Sequence, residues 1–553
     1  MQVADRKEVV CVVALLGLAS ATRLIGLDRL PAGVLPDELS NGYDAYSILQ
    51  TGKDRWGQSW PILLEAFGRA DHRPASYTYL VVPFVALLGP DHLVTATRLP
   101  AALCGIVTIA GLYGLVRRTC GRRVALVAAL LLLFSPWHVQ LSRFGAECSL
   151  TPLFPVLVLL VLSLAGWPLQ GQPADPGKPV HLRWPWMAAF GLMLGGAPYI
   201  YASLKLFVPA MLVAGALVYR PVWSEVLRRQ ENRRALVVGA LVGVVVSAPM
   251  VRLTLTQWET VNARAQDVSL FHQGLSPAVA LGQCAWNWAA HFGPKWLFLQ
   301  GPDSVLARTP GVGQLNWYML PLLLTGLVVL WTQRKRNRIY GVLLAWLLLH
   351  PIASAATKDA PHILRAACGL GSFQWVAALG VGAWVSWSER RSWAGPLMVV
   401  ILVACIAGNA TWSLGRYHRH FSSNARLLNL WQADLEQALL SIRECWRNYD
   451  RVFISDHKDY APDRLWMSDF PYIYVLVFLR IEPAEFHAWE KRVVYDPPTA
   501  PWHQVEGMGP FTLSTIPAVL DEFFQNHPDQ RVLFVARPGD IHGGRLLDTV
   551  RDA

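Results

Sequence analysis

Long uncharged runs alternate with short basic ones along the chain, and the runs are too long for a soluble core. A membrane-spanning helix needs about 20 mainly apolar residues. Eleven stretches meet that measure: 9–27, 98–116, 124–141, 150–166, 184–201, 203–219, 235–257, 317–332, 339–354, 366–387 and 393–412. A further stretch, 77–88, is short and interrupted by Pro83. Arg6 and Lys7 precede the first run, but no small-residue cleavage site follows before Arg23, so a retained first span is expected.

The basic residues orient these runs. Arg117, Arg118, Arg122 and Arg123 fill one loop, and Arg220, Arg228, Arg229, Arg233 and Arg234 a second. Arg334, Lys335, Arg336 and Arg338 fill a third, and Arg390 and Arg391 a fourth. Cytoplasmic loops collect Lys and Arg. Eleven spans with a cytoplasmic N-terminus put all four loops inside. A crossing at 77–88 would put all four outside, so that stretch is expected to lie in the interface. Trp137, Trp167, Trp184, Trp317, Trp331, Trp387 and Trp412 fall near span ends, as an aromatic belt requires.

Three long segments are then extracytoplasmic: 28–97, 258–316 and 413–553. The last carries 15 Lys or Arg against 19 Asp or Glu, a net of −4. It holds strand-like runs at 451–455 and 531–536 and a helical stretch at 427–446. A small α/β domain is expected there. The expected fold class is therefore an all-α polytopic membrane protein, residues 1–412, with a C-terminal extracytoplasmic α/β domain, 413–553. The Pro/Gly-rich 168–179 stretch reads as a cytoplasmic loop.

Composition agrees. Of 553 residues, 53% are hydrophobic and 16% charged, and the mean hydropathy is +0.31. A soluble globular domain carries about 25% charge. The formal charge of +11 could signal a nucleic-acid partner, but its concentration in four loops makes it an orientation signal. The eight cysteines lie mostly in or beside apolar runs without a CxxC, so neither a disulfide framework nor a zinc site is expected.

Candidate chemistry collects on the outer face. Pro36-Asp37-Glu38 follows the first span, and adjacent carboxylates there can supply a general base, a cation site or a helix start. Asp37 as N-cap of a helix over 38–50 is the plain alternative. The same loop carries Lys53, Asp54, Arg55, Trp56 and then Asp71-His72-Arg73-Pro74. Ser142-Arg143-Phe144 and Glu147 form a second loop, where Arg143 and Glu147 could pair on one helix face. Tyr199, Tyr201 and Lys205 stand between spans five and six, and Thr357 to His362 precedes Arg365. Snorkelling at the interface explains the two cations equally well. Together, carboxylates and cations at the lipid boundary suit a phosphate-bearing lipid substrate. Cations would hold the phosphate as leaving group, and a carboxylate would deprotonate an acceptor hydroxyl. Asp456-His457 reads as a solvated turn.

The order of these motifs resembles a family. Pro-Asp-Glu after the first span, then a Trp-Gly and a Pro-rich Tyr stretch, Arg98-Leu99-Pro100, Ser135-Pro136-Trp137-His138 and Ser142-Arg143 resemble the GT-C membrane glycosyltransferases of family 39, the protein O-mannosyltransferase and aminoarabinose transferase type. Pro361-His362, Arg365, Pro471-Tyr472 and Phe478 to Pro483 also fit. The likeness is close over the first 165 residues and loose beyond. It implies an inverting transferase that takes a sugar from a polyprenyl-phosphate carrier to a hydroxyl-bearing protein, lipid or glycan acceptor. It implies Asp37 as base with Glu38 beside it. The family usually has an Asp five residues after the arginine of the Ser-Arg motif. Here Cys148 stands in that place, with Glu147 one position earlier. His72-Arg73-Pro74 takes the place of a Lys-Pro-Pro or His-Pro-Pro element.

The expected roles are then as follows. Asp37, Glu38 and Glu147 are catalytic candidates. Arg73, Arg143, Lys205, His362 and Arg365 are donor-phosphate candidates, and Tyr43, His72 and Tyr201 sugar or acceptor candidates. Expected partners are the lipid-linked sugar, its acceptor and membrane lipids, without nucleic acid. No cofactor is expected, since phosphate already leaves well and no metal-ligand spacing stands out; a divalent metal is left open. The alternatives are a lipid-linked sugar flippase or transporter and a glycan polymerase of similar topology. A flippase would need ionisable residues at mid-span, and the runs are nearly free of them, with Lys205 and Arg252 as the main exceptions near their outer ends. The expected location is a bacterial inner or plasma membrane.

Overall fold

The computed structural model describes residues 6–68, 71–171, 179–301, 311–388, 394–423, 432–455, 470–495, 503–513, 523 and 525–536. Arg390, Arg391, Asp456 and His457, most of the 168–179 loop and the start of the 427–446 stretch lie outside them.

All eleven apolar stretches are helical, though not all as single rods. Among the described residues, five helices are long and apolar enough to cross a membrane: Pro90–Cys120, Glu147–Leu164, Gln230–Thr256, Arg338–Ala355 and Ala367–Ser388. Leu204–Val218 and Arg220–Arg228 form a sixth if their 79° bend is counted within one span. The 124–141 stretch is two helices, Arg122–Leu133 and Pro136–Leu141. Ser135-Pro136 divides them, because proline cannot donate to the preceding turn and suits the first position of a new helix. Ser76–Leu88 is a 13-residue helix, about 20 Å long at 1.5 Å per residue and too short for a span.

The chain forms two compact units. The first comprises residues 1–25, 101–258 and 265–417. Its helices pack through small residues. A Cβ at Gly191 would overlap the carbonyl oxygen of Gly239, so glycine lets Trp184–Gly196 and Gln230–Thr256 approach backbone to backbone.

The second unit comprises residues 26–100, 259–264 and 418–553. A single cut near 412, the expected boundary, leaves out this joining of the 26–100 segment to the C-terminal residues. Hydrogen bonds and buried rings join them. Tyr43 Oη donates to the Ile481 carbonyl at 3.0 Å, Tyr46 Oη to Glu482 Oε2 at 2.5 Å and Tyr472 Oη to the Ala66 carbonyl at 3.2 Å. The helix Pro471–Phe478 is buried along its whole length. Five strands make a mixed sheet in the order 491–494, 504–508, 511–513, 451–454, 532–535. Arg451–Ile454 runs parallel to both neighbours, with Val452 opposite Phe511 on one side and Leu533 on the other. The two strands expected from sequence are thus adjacent in one sheet.

Candidate active site

Pro36 opens the helix Pro36–Thr51, with Leu35 at the N-cap. Asp37 is therefore inside the first turn rather than the cap of a helix beginning at 38. Its carboxylate and that of Glu38 both lie where the helix dipole favours negative charge. Successive helical residues point about 100° apart, and these two face different surroundings.

Glu38 faces inward. Arg98 Nε donates to its Oε1 at 2.9 Å and Arg98 Nη2 to its Oε2 at 3.0 Å, with both side chains fully buried. Arg98 also donates to the carbonyls of Leu27, Pro31 and Gly33 at 3.1, 3.1 and 2.9 Å. The expected catalytic partner of Asp37 is thus built into a clasp that ties the helix start to the preceding loop. A carboxylate held this way is poorly placed to take a proton from a substrate.

Asp37 faces outward. Its side chain is 49% exposed, and its Oδ1 accepts from Arg73 Nη1 at 3.1 Å. A two-stranded hairpin sets Arg73, pairing Leu63–Glu65 with His72–Pro74 so that Leu64 faces Arg73. Arg73 is 6% exposed on its side chain. Its Nη2 donates to Ser40 Oγ at 2.9 Å, and Arg55 Nη1 donates to the same oxygen at 2.6 Å. Arg55 in turn holds Asp44 Oδ2 at 2.9 Å. A continuous polar chain therefore runs Asp44, Arg55, Ser40, Arg73, Asp37. Arg55 also donates to the Ala66 carbonyl and lies against the rings of Phe67, Trp56 and Tyr472.

Two further groups belong here. Burial, and secondarily the Asp37 charge, raise the Asp71 carboxyl above its ordinary range, while Arg73, Arg264 and Arg55 pull it down. Asp37 and Asp71 thus share a field set by several arginines. Burial pushes the Asp44 carboxyl up to about 6 against the pull of Arg55. Sequence reading gave no role to Ser40, Asp44, Asp71 or Arg264. For Ser40 and Asp44 a signal existed: positions 37, 40 and 44 fall on one helical stripe. Arg264 carries no comparable signal, because only the fold brings it near Asp71.

The other expected residues fall in several places. Tyr43 is 1% exposed and its hydroxyl is engaged by Ile481, a scaffold contact rather than an acceptor contact. His72 is half-buried and pairs in register with Glu65, which also faces His503 Nδ1 at 3.5 Å.

In the first unit, Arg143 is buried and donates to the carbonyls of Thr22, Arg23 and Ile25 at 3.2, 3.0 and 3.0 Å. It caps the C-terminal end of the helix Arg6–Leu24, where a cation is favoured. Arg143 and Glu147 do not share a helix face, because residues 142–146 are a turn and Glu147 starts the short 3₁₀ segment Glu147–Leu150. Cys148 is buried. Lys205 is the second residue of the helix Leu204–Val218, and Tyr201 lies in the turn before it; both are half-buried.

His362 and Arg365 do come together, through Asp359. Arg365 bonds its carboxylate, and His362 Nε2 stands 3.7 Å from Oδ2. Ser354 Oγ fixes this loop, accepting from the His362 backbone N–H at 3.0 Å and meeting His291 Nε2 at 2.8 Å. Among the described residues, no three His, Cys, Asp or Glu side chains gather as a metal-holding group.

These features, apolar helices with a polar first loop packed on a C-terminal sheet unit, are those of the GT-C membrane glycosyltransferase fold, and the chain is an integral membrane protein of that fold class. Within the class, residues 72–252 match the family model of dolichyl-phosphate-mannose-protein mannosyltransferase. The structure is similar to ArnT from Cupriavidus metallidurans, bound to undecaprenyl phosphate, with a TM-score of 0.51 and 16% identity over 95% of this chain and 89% of that one. It is also similar to the oligosaccharyltransferase AglB from Archaeoglobus fulgidus, in complex with an inhibitory peptide and a dolichol-phosphate. There the TM-score is 0.52 and the identity 14%, over 86% of this chain and 64% of that one. At such identities the likeness defines the fold. No curated protein matches the chain in sequence.

Proposed function

We propose that the protein is an inverting glycosyltransferase that moves a sugar from a polyprenyl-phosphate carrier to a hydroxyl-bearing acceptor on the extracytoplasmic membrane face. The observation that carries this reading is the half-exposed Asp37 carboxylate held by the nearly buried Arg73 at 3.1 Å. The similar ArnT structure is bound to undecaprenyl phosphate and the similar AglB structure to a dolichol-phosphate, which supports a lipid phosphate as donor.

Asp37 takes the proton of the acceptor hydroxyl. The acceptor oxygen attacks the anomeric carbon, and the bond from that carbon to the carrier phosphate breaks. The phosphate leaves with the electron pair, and Arg73 stabilises its charge. Attack opposite the leaving group inverts the anomeric centre. Asp71 and Arg264 tune the local charge, and His72 is a candidate contact for the sugar. Lys205, His362 and Arg365 are proposed as donor-phosphate contacts, and Glu147 and Tyr201 as contacts to the reacting groups, each on its charge or hydrogen-bonding capacity and the family resemblance. Eleven spans, a cytoplasmic N-terminus and an extracytoplasmic 413–553 region complete the reading, supported by the four basic loops.

The test is transfer by the Asp37→Asn variant in membranes supplied with a polyprenyl-phosphate sugar. Loss of the transferred product is expected. Wild-type transfer would sink the reading, and lipid movement without a new glycosidic bond would favour a flippase.

A further inference from the structure

The helices Leu153–Leu164, Trp184–Gly196, Leu204–Val218, Gln230–Thr256 and Arg338–Leu349 surround a cavity of about 190 Å³. Its wall is hydrocarbon and aromatic ring, as Leu159, Leu162, Phe190, Met211 and Trp346 illustrate. Ordered water needs two to four polar partners, so a cavity of this kind stays dry and takes hydrocarbon. One wall residue breaks the pattern. Trp167 is 7% exposed, and its ring meets Tyr219 and Trp223 edge-on at 5.6 and 5.0 Å between centroids. Among the described residues, nothing accepts a hydrogen bond from its Nε1–H. Buried indole N–H groups normally have an acceptor. Trp167 belongs to the cavity wall, which makes an occupant of the cavity a source of that acceptor.

Two cations flank the same stretch of chain. Arg118 donates through Nε to Ser163 Oγ at 2.7 Å and through Nη2 to the Ser163 carbonyl at 3.5 Å, next to the wall residue Leu162. The backbone N–H of Arg183 bonds the Ala165 carbonyl at 2.9 Å, two residues before Trp167. The two guanidinium charges lie near enough to repel each other. Both residues are exposed, and among the described residues no acidic group acts on Arg118. Trp184, 63% exposed, directly follows Arg183, as suits a residue at the headgroup level. A dry hydrocarbon slot, one buried donor at its edge and two exposed cations beside it match the three parts of a lipid molecule in order.

We infer that this is a binding site for an anionic glycerophospholipid. One acyl chain occupies the cavity, an ester carbonyl accepts from Trp167 Nε1, and the phosphate lies against Arg118 and Arg183. The lipid comes from the membrane face that carries Arg117, Arg118, Arg122 and Arg123. The site involves none of the residues given a part in sugar transfer, so it stands or falls apart from that reading.

The test uses the full chain in detergent, titrated separately with dioleoyl phosphatidylglycerol, dioleoyl phosphatidylcholine and inorganic phosphate, with retained lipid read by native mass spectrometry. Phosphatidylglycerol should be retained in preference to phosphatidylcholine. Removing one basic contact is worth about 1 kcal/mol at a membrane surface, so Arg183→Gln should lower phosphatidylglycerol retention about five-fold. Trp167→Phe keeps the ring and removes the donor, and should weaken retention of both lipids. Equal retention of the two lipids would overturn the inference, as would wild-type retention by both variants. Displacement of the lipid by millimolar inorganic phosphate would also overturn it, by reducing the site to an anion site. Should Trp167→Phe not fold, Arg183→Gln decides alone, because its side chain is exposed.

Discussion

Arg98 grips both carboxylate oxygens of Glu38, at 2.9 and 3.0 Å, with neither side chain exposed. One residue earlier, Asp37 is half-exposed and meets a different arginine. Breaking a buried ion pair by removing one partner costs about 3–5 kcal/mol, because the other charge is left behind. Glu38→Gln should therefore lower the yield of folded protein and its melting temperature in detergent. A Glu38→Gln protein with wild-type stability but no transfer activity would reverse the assignment and make Glu38 catalytic.

Asp37→Asn should do the opposite. The Asp37 carboxylate is half-exposed and Arg73 keeps Ser40 Oγ as an acceptor, so the variant's melting temperature should fall far less than that of Glu38→Gln. The transfer rate should fall by about 10²–10⁴, the usual contribution of a general base. Rate and melting temperature measured on one preparation separate the two neighbours.

Ser40 Oγ receives hydrogen bonds from Arg55 and Arg73 at 2.6 and 2.9 Å. Ser40→Ala leaves two buried guanidinium donors without that acceptor, at a cost of about 1–3 kcal/mol. It should also loosen Arg73, raising KM for the lipid donor more than it lowers kcat. Equal effects on donor and acceptor saturation would argue against Arg73 as the phosphate contact.

Asp44 supplies a pH dependence. Burial raises its carboxyl from the ordinary 3.8 to about 6, with Arg55 opposing. A group whose folded value is raised contributes stability below its unfolded value and loses it as pH rises through the folded one. The window is therefore about pH 4 to 6, and the change is on the order of 3 kcal/mol. Asp44→Asn cannot titrate. The stability of the wild type relative to this variant should thus grow as pH falls from 7 to 4, as read by unfolding midpoints at each pH. A constant difference would contradict the shift.

Removing residues 413–553 should not yield a trimmed but intact enzyme. Tyr43 and Tyr46 of the Asp37 helix bond Ile481 and Glu482, and the Tyr43 ring packs edge-on to Phe486 at 6.2 Å. Without these partners the helix exposes its buried face. Limited proteolysis of the truncated chain should cut within 36–100, whereas the full chain resists there. Resistance in both would make the C-terminal segment an appendage.

The amino-acid sequence determined the membrane character and the helical runs, because apolar length is a local, one-dimensional property. It also singled out Asp37 and Arg73 as candidates, through motif order, and the adjacent strands 451–454 and 532–535, through their apolar runs. It could not separate Asp37 from Glu38, which look equivalent side by side. Only the fold decides that one meets Arg98, 60 residues away, inside the protein, while the other meets Arg73 at its surface. The same holds for Arg143, whose motif suggests phosphate and whose position caps a helix end, and for Tyr43, taken up by Ile481 at a separation of 438 residues. Burial and partner are long-range facts. They depend on which surfaces meet, and the joining of 26–100 with the C-terminal segment is a tertiary outcome that no local pattern encodes.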